Sequence, residues 1–246
     1  MTPPRLEQPP HRLVRPSAPD GPSPSFRYAA RVENLVWVDC EMTGLDLAKD
    51  ALIEVAVLVT DAELNVLGDG VDVIIRPPAE ALAQMDQFVT QMHQTSGLLP
   101  LLESGVSLAE AEQQVMAYVT EHVPEAAKVP LAGNTIGTDR AFLARDLPTF
   151  ESHVHYRNVD VSSLKELAKR WYPRVYFGTP AKSGNHRALA DIQESIEELR
   201  YYREAMLVPA PGPTRDELAE IAARHQGALT GATVAARQEA EPAPSA

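Results

Sequence analysis

The chain has a single cysteine, Cys40, among its 246 residues. One cysteine excludes an intrachain disulfide and leaves no pair of thiolates to begin a zinc site. No apolar run approaches the ~18 residues of a membrane span, so no membrane partner is expected, and the N-terminus lacks the unbroken apolar stretch of a secretory signal. These absences point to a reducing compartment, the cytoplasm. Positive charge is scarce as well. The formal net charge is −12, which argues against the broad basic face by which a protein tracks a long duplex. The charge is uneven, however: between Arg157 and Arg187 seven Lys/Arg face only Asp160 and Glu166. That local excess suits a short anionic substrate.

What the sequence does have is organised in three parts. Eight prolines fall within residues 1–30, with almost no apolar periodicity to supply a packing face, so this segment is expected to be a disordered arm. Arg5, Arg12, Arg15 and Arg27 give the arm a faint likeness to a transit peptide, which its proline density contradicts. Residues 31–207 form the expected main domain. A Pro-rich break at 208–213 opens a C-terminal extension, 208–246. There Thr214, Glu217 and Gly227 mark one short helix, followed by an Ala/Glu/Pro-rich tail expected to be disordered.

Within the main domain, LVWVDCEM (35–42), ALIEVAVLVTD (51–61) and VDVIIR (71–76) read as strands, separated by the turn-forming runs TGLDLAKD and GDG. Three strands with short connections predict an antiparallel meander. Helices are expected near 80–95, from Ser107 with a Glu110 capping box, over 138–147, over 163–171 with a Ser163–Glu166 capping box, and over 186–206. A short strand, VPLAGN, lies between them. Strands followed by alternating helices and strands make an α/β fold: a mixed sheet with helices on both faces.

Five residues stand out. Asp39 and Glu41 are two apart at the end of the first strand, so alternation turns both carboxylates to one face and Cys40, a packed hydrophobe, to the other. Asp139 opens a helix after the Gly-bounded turn GNTIG, where backbone can approach a phosphate and Asn134 and Thr135 can hydrogen-bond to it. His186 and Asp191, five apart, would sit about 140° from one another on a continuous helix. His186 is therefore expected to precede the first regular turn. Leu189, Ile192, Ile196 and Leu199 form the buried stripe, with Asp191 at its edge. Asp46 and Asp50 read as turn residues, Asp160 as a helix-start residue and Glu54 as the partner of a buried base, so all four are set aside.

Hydrolysing a phosphodiester requires an activated water and stabilisation of charge on both the attacking and leaving oxygens, which two divalent ions supply. Four carboxylates without a thiolate pair suit Mg²⁺ or Mn²⁺ rather than zinc. A histidine near such a site is a suitable general base at neutral pH.

On WVDCEMTGLD, GNTIGTDRAFL, HYRNVDVSSLKELAKRWYP and HRALADIQESIEELRYYRE, in this order and spacing, residues 34–206 resemble the oligoribonucleases. These belong to the histidine-containing branch of the DEDD exonuclease superfamily, which has a ribonuclease H-like fold. The resemblance implies a 3′-to-5′ exoribonuclease that cleaves short single-stranded RNA, above all dinucleotides, to mononucleotides. It implies two metals on Asp39, Glu41, Asp139 and Asp191, and His186 as base. It also implies Leu45 as a wedge between the bases, Phe88 stacked on a base, and His93, Thr135, Arg157 and Ser162 around the 5′ phosphate. Tyr156 would come from the partner subunit of a homodimer. Phe88 replaces the usual tryptophan and Thr135 the usual serine, which keeps an aromatic face and a hydroxyl. A proofreading-type DNA exonuclease shares the metal set, and a nucleic-acid-binding module without catalysis shares the fold; both remain alternatives.

Overall fold

Three segments rich in Val, Ile and Leu pair as an antiparallel meander, β1 (Leu35–Met42), β2 (Leu52–Thr60) and β3 (Val66–Ile74). The computed structural model describes residues 34–181 and 186–226. The Pro-rich arm and the tail after the last helix lie outside the described residues. β4 (Pro130–Gly133) joins β1 in parallel, and β5 (His155–Asp160) joins β4 in parallel, giving the order β3-β2-β1-β4-β5. β1 is thus the central strand.

The helices, in chain order, are α1 (Ala79–Ala83), α2 (Gln87–Thr95), α3 (Leu108–His122), α4 (Ile136–Asp146), α5 (Pro148–His153), α6 (Val161–Trp171), α7 (Pro173–Phe177), α8 (Ala188–Met206) and α9 (Arg215–His225). A 3-10 segment, Leu99–Ser104, links α2 to α3. Every residue of β2 is buried, as in a strand covered on both faces. On one face Val36, Val38 and Cys40 pack with Val115 and Val119 of α3, Leu143 of α4 and Phe150 of α5. On the other, Trp37 packs with Ala56, Leu58 and the Ile192, Ile196 and Tyr202 stripe of α8, together with Val161 and Ala168 of α6. Strand alternation therefore fixes which face Asp39 and Glu41 share: that of Trp37, under α8.

Four local expectations are corrected. The GDG run at 68–70 lies inside β3, and the chain reverses earlier, where Asp61 Oδ1 accepts the amides of Glu63 at 2.8 Å and Asn65 at 2.9 Å. An aspartate that closes the turn with its own side chain outcompetes glycines, which inside a ladder favour a bulge. Gly68 and Gly70 take positive φ (69° and 79°) beside a register shift at Val57/Val59. A Cβ on Gly70 would meet Leu58 Cδ2 at 2.4 Å. Second, the helix near 80–95 is two helices, because Asp86 starts a new one by accepting the Val89 amide at 2.8 Å. Third, Ser163 caps nothing. β5 runs straight into α6, and Asp160, the last strand residue, is the N-cap, accepting the Ser162 amide at 2.9 Å. The helix at Asp139 also begins two residues early, at Ile136. Capping boxes at Ser107–Glu110 and Thr214–Glu217 open α3 and α9.

At the β2–β3 irregularity Tyr118 of α3 makes good the ladder: its hydroxyl donates to the Leu67 carbonyl at 2.7 Å and accepts the Val59 amide at 3.0 Å. Replacing Tyr118 by Phe strands both backbone groups. We expect a loss of about 1–3 kcal/mol in the unfolding free energy, read by urea denaturation. An unchanged midpoint would remove this hydroxyl from the stability of the meander.

Candidate active site

At the end of β1 the period of two directs Asp39 and Glu41 to the α8 face, Asp39 half-buried and Glu41 buried. Asp139 joins them because β4 pairs beside β1 and the chain turns into α4 through Thr135, which adopts a left-handed φ of 53°. The buried Asp139 carboxylate accepts the Cys40 amide through Oδ1 at 3.0 Å. That amide belongs to the residue between Asp39 and Glu41, so the bond fixes the third acid against the first two.

The remaining pair comes from the start of α8. His186 lies outside the helix with φ of 48°, a left-handed turn that takes it off the helical path. One ligand atom from each of Glu41, His186 and Asp191 lies within 4.8 Å of the others. Five residues that span about 150 positions thus meet at one end of β1.

Their electrostatics follow from crowding in a partly dry space. Burial, then the neighbouring Asp139, Glu41 and Asp191 carboxylates, push Asp39 from 3.8 up to about 9. Burial, then Asp191 and Glu54, push Glu41 from 4.5 to about 8, against the opposing pull of Arg187. Burial lifts Asp139 to about 6, the Cys40 amide working the other way. His93, fully buried, sets its Nε2 at 2.9 Å from the Met42 carbonyl. Its Nδ1 lies 3.9 Å from Glu41 Oε2 and has no hydrogen-bond partner. Burial lowers the pKa of this ring. Hard oxygen donors that resist ionising together fit a divalent cation, whose charge removes the repulsion.

The expected substrate residues fall into groups. Thr135 and Ser162 meet: their hydroxyl oxygens are 3.2 Å apart, and the Thr135 amide donates to Ser162 Oγ and Asp160 Oδ1, each at 3.0 Å. Ser162 in turn donates to Asn134 Oδ1 at 3.0 Å, and Asn134 Nδ2 donates to Ser195 Oγ of α8 at 2.8 Å. His93 is set against Glu41 and Met42 instead. Leu45, 74% exposed, tips a loop braced by Asp50, which accepts the Asp46 amide at 2.8 Å and the Thr43 hydroxyl at 3.3 Å. Phe88, 77% exposed, walls a cleft of about 560 Å³ with Gln91, Met92, His186 and Arg187. Tyr156 and Arg157 lie on the sheet-edge strand β5, the guanidinium 5.6 Å from the Tyr156 ring. Among the described hydrogen bonds none joins either side chain to Thr135 or Ser162.

Sequence reading missed Arg187. It expected Glu54 to pair with a buried base; the partner is the part-exposed Arg187, 133 residues away, with Nε at 2.9 Å from Glu54 Oε1. Only a register that sets Glu54 directly across from Glu41 brings this pair to the site, and no local signal carries that register.

The exonuclease family model matches residues 36–199. Solved structures of exonuclease I resemble the fold. One, described as suggesting how processivity is achieved, has a TM-score of 0.56 at 14% identity over 71% of this chain. An E. coli exonuclease I complex with single-stranded DNA, in a zinc-bound form, also has a TM-score of 0.56, at 16% identity over 71% of this chain. This chain spans 41% of the length of each of those proteins. Fold and family model define the class, an exonuclease domain on a ribonuclease H-like sheet. Oligoribonucleases of Cutibacterium acnes and Streptomyces griseus are 65% and 66% identical, over 80% and 78% of this chain and 98% and 96% of theirs. That of Mycobacterium leprae is 58% identical over 79% of this chain and 91% of its own. The chain belongs to the oligoribonuclease family.

Raised carboxylate pKa values make the folded metal-free protein bind more protons than the unfolded chain between pH ~4 and pH ~9, so its stability falls as pH rises through that window. Each group contributes a slope of at most about 1.4 kcal/mol per pH unit while it titrates. We expect urea midpoints in EDTA to drop from pH 6 to pH 8.5, and Asp39→Asn to flatten that drop. A rising or flat wild-type profile would contradict the crowding of these acids.

Proposed function

We propose that this protein is a 3′-to-5′ exoribonuclease that hydrolyses short oligoribonucleotides, dinucleotides above all, to nucleoside monophosphates. The observation that carries the reading is the convergence of Glu41, His186 and Asp191, with Asp39 and Asp139 packed against them. Asp39, Glu41, Asp139 and Asp191 would hold two divalent ions, Mg²⁺ or Mn²⁺, which when bound supply water activation and charge neutralisation at the scissile phosphate. His186, exposed and outside the helix, takes the proton of the attacking water. Leu45 and Phe88, large apolar groups left exposed, separate and stack the two bases, an aromatic face being a platform for any base.

At the other end, Thr135, Ser162 and Arg157 surround the 5′ phosphate, while His93, buried against Glu41 and Met42, belongs to the metal end of the groove. The hydroxyl pair is preorganised by Asp160 and Asn134, and a guanidinium is the natural bidentate partner of a terminal phosphate. Fixed donors there leave no exit for a longer chain, which accounts for the length preference. Tyr156, 74% exposed on the edge strand, reaches the partner's site in a homodimer, and the enzyme works in the cytoplasm.

His186→Ala lowers kcat by about 10²- to 10⁴-fold with little change in KM, the usual worth of a general base. A change confined to KM would remove the base role. On 5′-labelled RNAs of two, four and seven residues with Mn²⁺, beside a DNA dinucleotide, the RNA dimer disappears first, and Arg157→Ala abolishes the advantage of a 5′-phosphorylated dimer. Equal rates at all lengths would discard the phosphate cap, and a faster DNA dimer would favour a deoxy substrate.

A further inference from the structure

Glu54 takes no part in the chemistry above, yet it is fully buried and lies directly across from Glu41 in the β1–β2 ladder. A buried carboxylate is costly unless it is paired and hydrogen-bonded. Both of its oxygens are used. Oε1 accepts from Arg187 through Nε at 2.9 Å and Nη2 at 2.8 Å, and Oε2 faces the amide of Ala188, the first residue of α8, at 3.3 Å. Asp72 of β3 adds a second acid 3.8 Å from the same Nη2. Two adjacent strands therefore grip two consecutive residues at the start of α8.

The residue just before that grip is His186. It is exposed and in a left-handed conformation. Its place within 4.8 Å of Glu41 and Asp191 depends on the peptides that follow it. Those peptides are the ones Glu54 and Arg187 hold. Breaking such a pair by removing one partner leaves an uncompensated buried charge, so the grip resists being opened.

We infer that Glu54 and Arg187 form a clamp that positions His186 over the metal carboxylates, Glu54 acting through Arg187 and the Ala188 amide without touching substrate. The inference rests on His186 being the base. Placement errors of this kind cost about 10- to 100-fold in turnover.

The test is a double-mutant cycle on the full chain with a 5′-phosphorylated RNA dinucleotide and saturating Mn²⁺, paired with hydrogen exchange. Arg187→Met lowers kcat by about 10- to 100-fold with KM within about threefold, and Arg187→Lys restores part of it. In a His186→Ala background Arg187→Met costs nothing further, because coupled residues are not additive. Glu54→Gln, whose single amide oxygen can still accept from Arg187 while the Ala188 amide loses its acceptor, costs less than Glu54→Ala. Amides at 188–191 exchange faster in Arg187→Met. Multiplying losses or unchanged exchange would each overturn the clamp and leave the exoribonuclease reading standing. A near-native rate for His186→Ala alone would sink the base assignment and the clamp with it.

Discussion

Everything at this site follows from gathering like charges where water is too thin to screen them. Two unit charges about 4 Å apart repel by about 4 kcal/mol at an effective dielectric of 20. Asp39, Glu41, Asp139 and Asp191 impose several such terms at once, which is why burial and mutual repulsion lift the first two to about 9 and about 8. A fold does not hold that arrangement by local preference. It is held by the sheet and the packed helices, which stabilise enough elsewhere to keep the acids together, and the same repulsion makes the site receptive to a divalent cation.

The scaffold needed for this is a sheet buried on both faces. β2 is covered throughout, so its one acid, Glu54, has to find a partner in the protein interior, and Arg187 supplies it. β1 carries Cys40, Val38 and Val36 into one core and Trp37 into the other. Asp39 and Glu41 extend the Trp37 side past the end of the apolar stripe, where the start of α8 arrives with His186 and Asp191. Packing of Ile192, Ile196 and Tyr202 against Trp37 is what delivers α8 to that position. The hydroxyl pair Thr135–Ser162 is linked to the same helix through Asn134 and Ser195, so both ends of the groove hang on one packed element.

Some of this was legible beforehand. Alternation along LVWVDCEM placed Asp39 and Glu41 together, and the helical angle between His186 and Asp191 placed the histidine before the helix, as its φ of 48° makes plain. The capping boxes at Ser107 and Thr214 formed where their spacing put them. Other local signals misled. GDG resembles a turn, but Asp61 closed the reversal first. Ser163 with Glu166 has capping-box spacing, but Asp160 arrives directly from β5 and takes the amide. In each case two segments compete for one role, and the winner depends on the strand that leads in.

The sequence by itself determined the elements with strong periodicity, the sharing of one strand face by two acids, and the acidic, thiolate-poor donor set. Those properties are set by residues within a few positions of one another. The tertiary structure alone decided that Asp139 bonds the amide of Cys40, 99 residues away, that Glu54 meets Arg187, and that His93 is buried against Glu41 rather than beside Thr135 and Ser162. These contacts depend on which strands neighbour in the sheet and in what register, and register is fixed by burying two apolar faces at once, a condition that no single segment encodes.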